Sequence, residues 1–339
     1  MFVSKPKQFA ATFVAAALFA VPAIADVNVY TTREPGLIQP LLDAFTAKTG
    51  IAVNAVFVEQ GLPERVLAEG ANSPADILMT VDIGNLVDLV DKGVTQPIES
   101  AALDAAVPAN LRDADHNWYA LSLRARVLYA ARDLDLASFT YEQLADPAWQ
   151  GKVCIRSGQH PYNIALTAAY IAKHGAEATE TWLRSVKANL ARAAGGGDRD
   201  VAKDILGAIC EIGPANSYYV GLMRSGAGGP EQEQWGAAIK VILPTFEDGG
   251  THVNVSGAAL AKYSPNKSEA IQLLEFLASD QGQLLYADAN FEYPVKAGVP
   301  ADELIAELGP LAIDSMTLQE IAAQRKLASE LVDKVGFDN

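Results

Sequence analysis

"VNVYTTREPGLIQPLLDAFTAKTGIAVNAVFV", residues 27–58, switches between two kinds of hydrophobic pattern. Asp26 to Tyr30 is short and apolar enough to read as a strand. Leu37, Ile38, Leu41, Leu42 and Phe45 then recur at helical spacing, and Lys48-Thr49-Gly50 supplies a helix end with glycine just past it. "IAVNAVFV" (51–58) is a second, mostly apolar strand. Working outward, Pro63 to Glu69 forms a short helix and "DILMTV" (76–81) a third strand. From Asn85 a helix carries Leu86, Val87, Leu89 and Val90. Strand, helix, strand and helix with apolar strands predict an α/β fold whose parallel sheet is covered on both faces. Loops beyond the C-terminal ends of such strands form a ligand crevice. That places "TTREPG" (31–36), "EQGLPE" (59–64) and "DIGN" (82–85) at its mouth, with Asp82 capping the helix that follows.

A second unit begins near "YALSLRARVLYAARD" (119–133). "GKVCIRS" (151–157) reads as a strand, followed by a turn and a long helix through Ile164 to Lys173. "AAGGGDRD" (193–200) lacks the Lys-Ser/Thr ending of a phosphate loop and reads as a flexible connection. "IKVILP" (239–244) leads back as a strand. No internal repeat or low-complexity segment interrupts the chain.

The first 25 residues read as a secretory signal. Lys5 and Lys7 precede an apolar run from Phe9 to Val21, and Ala23-Ile24-Ala25 is a small-x-small cleavage site. Removing 25 of 339 residues leaves 314, enough for two ordinary domains. The residue directly after the cleavage site is Asp26 rather than a lipid-accepting cysteine, and no later stretch is long and apolar enough to span a membrane. The formal charge of −15 includes the two signal lysines. A mature chain this acidic is a poor nucleic-acid binder, and its field favours approach of a cation. Cys154 and Cys210 are an even pair in an exported protein and are expected to form a disulfide.

No standard enzyme assembles from these residues. His116, His160, His174 and His252 are scattered, and HExxH, GxSxG and Walker patterns are missing. The tyrosines carry more information. Tyr162 lies in "SGQHPYNIAL", a turn after the strand at 151–157. Tyr218 and Tyr219 lie in "GPANSYYVGL", in a comparable place after the apolar run at 205–212. Adjacent phenols point in different directions, so one core surface does not hide both. A phenolate is a hard anionic donor suited to a small, highly charged ion, and three would neutralise Fe3+. A free phenol titrates near pH 10, so only a strongly acidic metal displaces its proton near neutrality. Core packing is the competing role. Arg124 and Arg126 stand at i and i+2 in "LRARV", on one face of a strand. Either holds a planar oxyanion with two hydrogen bonds or makes a structural salt bridge.

The chain resembles the periplasmic ferric-ion-binding proteins of ABC iron importers, in the subgroup with a tyrosine-rich site. The matching segments are "VNVYTTRE", "EGANSPADILMTVDIGNL", "LSLRARVLYAARD", "GKVCIRSGQHPYN", "ANSYYVGL", "GTHVNVSGAALAKYSPNK" and "EYPV", in order along nearly the whole mature chain. The resemblance implies a two-lobed type II periplasmic binding fold closing about a hinge. It implies that Tyr218 and Tyr219 are ferric ligands, with Tyr162 a third, and that Arg124 or Arg126 holds a synergistic anion such as carbonate. Related proteins often carry a His-Tyr or similar ligand pair after "TTR". Here Glu34-Pro35 occupy those positions, so the site either uses three tyrosines with anion and water or is completed by Glu34, and Arg33 either supports a ligand or contacts the anion. Glu59 and Gln60 are further candidates.

The expected function is a non-catalytic, monomeric carrier that captures ferric iron in the periplasm and docks on an inner-membrane ABC permease. The rival in the same fold is a carrier of a small oxyanion or organic anion held mainly by the arginines. Lobe one is expected at 26–122 plus 250–312 and lobe two at 123–249. The segment 313–339 is expected to form helices packing on a lobe.

Overall fold

The computed structural model describes residues 26–339, so the expected signal segment at 1–25 lies outside it. Strand β1 (Val27–Thr31) leads through a short loop into α1 (Pro35–Thr49), which starts on a proline and buries Ile38, Leu41, Leu42 and Phe45. Gly50 ends that helix at φ 78°, a left-handed conformation that glycine adopts without a Cβ penalty. β2 (Val53–Phe57), α2 (Leu62–Glu69), β3 (Ile77–Thr80), α3 (Ile83–Asp91), β4 (Thr95–Gln96) and α4 (Ala101–Ala106) follow. Asp82 caps α3 by accepting from the Gly84 N–H at 2.7 Å, and it also accepts from Asn254 Nδ2 at 2.6 Å.

β1 pairs in parallel with β2 and β3, as the alternating pattern predicts. The long β5 (Trp118–Ala131) then serves two sheet regions. β6 (Ile212–Asn216), β7 (Ile239–Ile242) and β8 (Val253–Ala261) are all antiparallel to it. Trp118 to Ala125 pair with β8, which continues antiparallel onto β3. From Arg126 onward β5 pairs instead with β6 and, from Leu128, with β7. The strand order is β2-β1-β3-β8-β5-β6. β5 thus joins two lobes, and its partner changes between Ala125 and Arg126.

Helices α5 (Pro161–His174), α6 (Ala176–Ala188), α7 (Asp198–Leu206), α8 (Tyr218–Arg224) and α9 (Pro230–Ala238) cover the second region. α10 (Lys267–Leu277), α11 (Asp280–Asn290) and β9 (Tyr293–Pro294) complete the first, whereas α12 (Glu303–Ala306) packs on α8 of the second. α13 (Leu318–Ala323) and α14 (Arg325–Val335) close the chain. α14 packs on α5 and α6, whereas α13 touches both α5 and α3, so the C-terminal pair spans the two regions rather than resting on one.

The stretch 151–157 is less regular than its residues predict. Only Val153 makes a β-bridge, to Leu190 and Ile212, and beyond it the run to Ser157 forms no strand, although the Ile155 carbonyl accepts from the Gly195 N–H at 3.0 Å. The tyrosine pair follows a strand at 212–216 rather than the run at 205–212, whose first residues end α7. Pro214 is accommodated because β6 is the last strand in the order, where a missing N–H is tolerated.

Cys154 and Cys210 form a disulfide with Cα atoms 5.8 Å apart. It ties the 151–157 segment to the start of β6. It closes a loop across 56 positions, so reduction is expected to cost about 4 kcal/mol through the unfolded chain. Urea denaturation with and without reductant measures this, and superimposable curves would remove the bond as a stabilising element.

Candidate metal centre

The starts of α1, α5, α7 and α8 and the end of α11 meet where the lobes face each other, around a cavity of about 520 Å³. Tyr162 sits in the first turn of α5, after His160 and Pro161. His160 Nδ1 caps the helix by accepting from the Tyr162 N–H at 3.2 Å, and its ring meets the Tyr162 ring edge-on at 4.5 Å. Burial, and then the charge of Arg156, pull His160 down to about 4, so its ring is neutral near pH 7 and suited to that acceptor role.

Tyr218 and Tyr219 open α8 directly beyond β6. Their ring centroids are 4.0 Å apart. The Tyr218 hydroxyl lies 3.3 Å from that of Tyr162, so two phenols 56 positions apart in sequence meet at their oxygens. All three tyrosines line the cavity. Gly221, one turn along α8, gives room for Phe291, since a Cβ there would lie 2.4 Å from the Phe291 ring. Burial pushes Tyr218 well above the ordinary phenol value of 10, charge on Tyr162 and Tyr219 adds to this, and Arg124 opposes it. Tyr219 is raised by burial and then by Tyr162 and Asp198. Both phenols are therefore neutral at neutral pH, and Arg199 lies 5.6 Å from the Tyr219 ring centroid.

Arginine and carboxylate form the other wall. Arg124, buried on β5, donates to the Val255 carbonyl at 2.7 Å and reaches the Tyr162 hydroxyl at 3.5 Å. Arg33, in the loop after β1, donates to Asn290 Oδ1 at 2.8 Å, Ser256 Oγ at 2.5 Å and Glu292 Oε1 at 2.7 Å. Burial opposes ionisation of Glu292, but Arg33 and Arg124 outweigh it and hold its carboxyl below the usual range. Burial would likewise lower Arg33, and Glu292 overrides it. Two guanidinium groups and one carboxylate leave one unit of positive charge beside the phenols. The Nε–H groups of Arg33 and Arg124 are buried and find no acceptor among the described residues.

Arg126 goes elsewhere. Its guanidinium donates to Asp198 at 2.7 Å, Asn163 at 2.6 Å and Asn216 at 3.2 Å, and it does not line the cavity. The salt-bridge role holds for Arg126, and the cavity-facing role falls to Arg124. Glu34 is exposed at the cavity rim. Glu59 and Gln60 line a neighbouring cavity that shares Thr32 and Val81 with the first. Glu292 was not singled out from the sequence, although its segment "EYPV" was; the available signal was a carboxylate between two aromatic residues. Among the described residues, no group of three or more His, Cys, Asp or Glu side chains converges. The donors gathered in this cleft are phenols.

Residues 72–308 match the model of the bacterial extracellular solute-binding protein family. The chain belongs to that family. It is 39% identical over 317 residues to iron uptake protein A2 of Synechocystis sp., covering 92% of this chain and 90% of the relative. A Bordetella ferric binding protein of known structure is 66% identical with a TM-score of 0.90, over 93% of this chain and 100% of that one. A Trichodesmium protein solved in complex with iron and citrate ligands is 38% identical with a TM-score of 0.87, over 92% and 99%. The fold of this family member is the two-lobed α/β architecture of those proteins.

Proposed function

We propose that this family member is a non-catalytic periplasmic carrier of ferric iron, with Tyr162, Tyr218 and Tyr219 as its phenolate ligands. The observation that carries the reading is the 3.3 Å approach of the Tyr162 and Tyr218 hydroxyls beside Tyr219. Like-charged oxygens this close need a cation between them once ionised. Three phenolates neutralise Fe3+. The net positive charge left by Arg33, Arg124 and Glu292 then suits a synergistic oxyanion, either carbonate or a carboxylate, reaching the metal from the arginine wall. Glu34 lies at the rim as a further oxygen donor. The names of the similar proteins support iron as the cargo.

In this reading the lobes comprise 26–122 with 250–312, and 123–249, and β5 and β8 form the crossing about which they close. Closure expels water and strengthens every charge interaction inside. The loaded monomer then docks on an inner-membrane ABC permease. A visible spectrum during ferric titration tests the carrier directly. A broad tyrosinate-to-iron band should grow to one equivalent. A folded protein without that band would favour an anion held mainly by Arg124 and Arg33.

The neutral phenols give a second expected result. Tyr218 and Tyr219 must each lose a proton to bind Fe3+, so uptake releases at least two protons. Ferric affinity therefore falls as the pH is lowered and protons compete for the same oxygens. Calorimetric titration in two buffers of different ionisation enthalpy measures the release. Identical heats in both would contradict it.

A further inference from the structure

The chain ends against the turn that carries Tyr162. Three donors of residues 157–159 converge on one carboxylate. Ser157 Oγ donates to Asp338 Oδ2 at 2.6 Å, the Gly158 N–H to Oδ1 at 2.6 Å, and the Gln159 N–H to Oδ2 at 3.3 Å. The Gln159 side chain is held as well. Its Nε2 donates to Asp333 Oδ1 at 2.7 Å and to the Ser329 carbonyl at 3.0 Å, and its Oε1 accepts from Ser329 Oγ at 2.8 Å. Beneath the turn, Phe337 is buried, and a Cβ on Gly158 would lie 2.8 Å from its ring and 2.9 Å from Val332. The turn has no room to settle lower.

This turn and the phenol are tied together by hydrogen bonds. His160 follows it and caps α5 at Tyr162. Asn163 Nδ2 donates back to the carbonyls of Arg156 and Ser157, both at 3.0 Å. A shift of residues 157–159 therefore shifts Tyr162, whose hydroxyl must stay within reach of Tyr218. A carboxylate accepting several N–H and O–H donors at the start of a helix forms strong, directional bonds that fix the turn. Asp338 belongs to neither α5 nor the metal cleft, and no signal in the sequence links position 338 to position 162.

We propose that Asp338, the second residue from the C-terminus, is a positioning residue of the ferric site that acts by holding the turn bearing Tyr162. The proposal rests on Tyr162 being a ligand. Leu331, Val332, Val335 and Phe337 bury an apolar face of the C-terminal segment, so α14 is expected to stay docked without the Asp338 carboxylate.

The test uses the full mature chain and ferric titration, with Asp338→Ala, Asp338→Asn, Tyr162→Phe and the double variant Tyr162→Phe/Asp338→Ala. Asp338→Ala is expected to bind iron about tenfold more weakly and to shift the visible band, as losing a group that orients a ligand does. Asp338→Asn should be intermediate, since it keeps one acceptor oxygen. The thermal midpoint of the iron-free Asp338→Ala protein should stay near wild type. The double variant should bind no more weakly than Tyr162→Phe alone. Wild-type affinity and spectrum in Asp338→Ala would overturn the proposal. So would fully additive losses in the double variant, which would mark a general structural role. If Tyr162→Phe itself leaves affinity and band unchanged while Tyr218→Phe does not, Tyr162 is no ligand and this proposal falls, with the ferric carrier still standing.

Discussion

Tyr218→Phe is expected to weaken ferric binding by at least roughly a hundredfold, about 3 kcal/mol, and to remove most of the visible charge-transfer band. The change deletes one oxygen. Phenylalanine keeps the ring that packs on Tyr219 at 4.0 Å and keeps the start of α8. What disappears is the oxygen that meets Tyr162, and with it one of the three negative charges that balance Fe3+. Removing a half-buried hydroxyl from the iron-free protein costs only about 1 kcal/mol or less. Binding and stability should therefore separate, with affinity collapsing while the urea midpoint stays close to wild type. Arg124→Ala makes the complementary comparison. It keeps the phenols and their band but loses the anion contact, so its ferric affinity should depend far less on added carbonate or citrate. An anion carrier would show the opposite pattern, tolerating Tyr218→Phe and failing with Arg124→Ala.

Much of this arrangement is visible in the sequence because its signals are local. The spacing of Leu37, Ile38, Leu41, Leu42 and Phe45 is the buried face of α1, and Gly50 ends that helix as its position predicts. Two adjacent tyrosines after a strand needed a polar use for at least one hydroxyl, and the structure brings all three cavity tyrosines together. Non-local facts were hidden. Strand periodicity puts Arg124 and Arg126 on one face but does not reveal what covers it. β5 changes partner between them, so Arg124 lies over β8 at the cleft while the start of α7 covers Arg126. The strand pattern at 151–157 was real in composition, yet only Val153 finds ladder partners there. β6 was obscured by its Gly-Pro pair, which is tolerated because β6 ends the strand order and only Ile212 is bridged beyond it, to Val153. Glu292 owes its role to Arg33, 259 positions away, a contact that no spacing encodes.

Asp198→Ala carries the largest expected cost in stability, about 3–5 kcal/mol, because it strands a buried guanidinium. Asp198 begins α7 and is fully buried. It accepts from Arg126 at 2.7 Å, from Arg156 at 3.3 Å and from the Asn216 N–H at 2.8 Å. Arg126 in turn holds Asn163, next to Tyr162, and Asn216, two residues before Tyr218. The pair thus ties the two tyrosine-bearing segments to β5. Replacing both charges by apolar residues, as in Arg126→Met/Asp198→Leu, removes the stranded charge and is expected to recover most of the lost stability. Ferric affinity should not recover with it. The apolar pair gives Asn163 no donor and Asn216 no acceptor, so the phenols lose their common anchor even in a well-folded protein. Urea denaturation and ferric titration of the single and double variants separate the two effects. If the double variant regained both stability and iron binding, the ion pair would serve folding alone, and the tyrosines would be positioned by their helices without it.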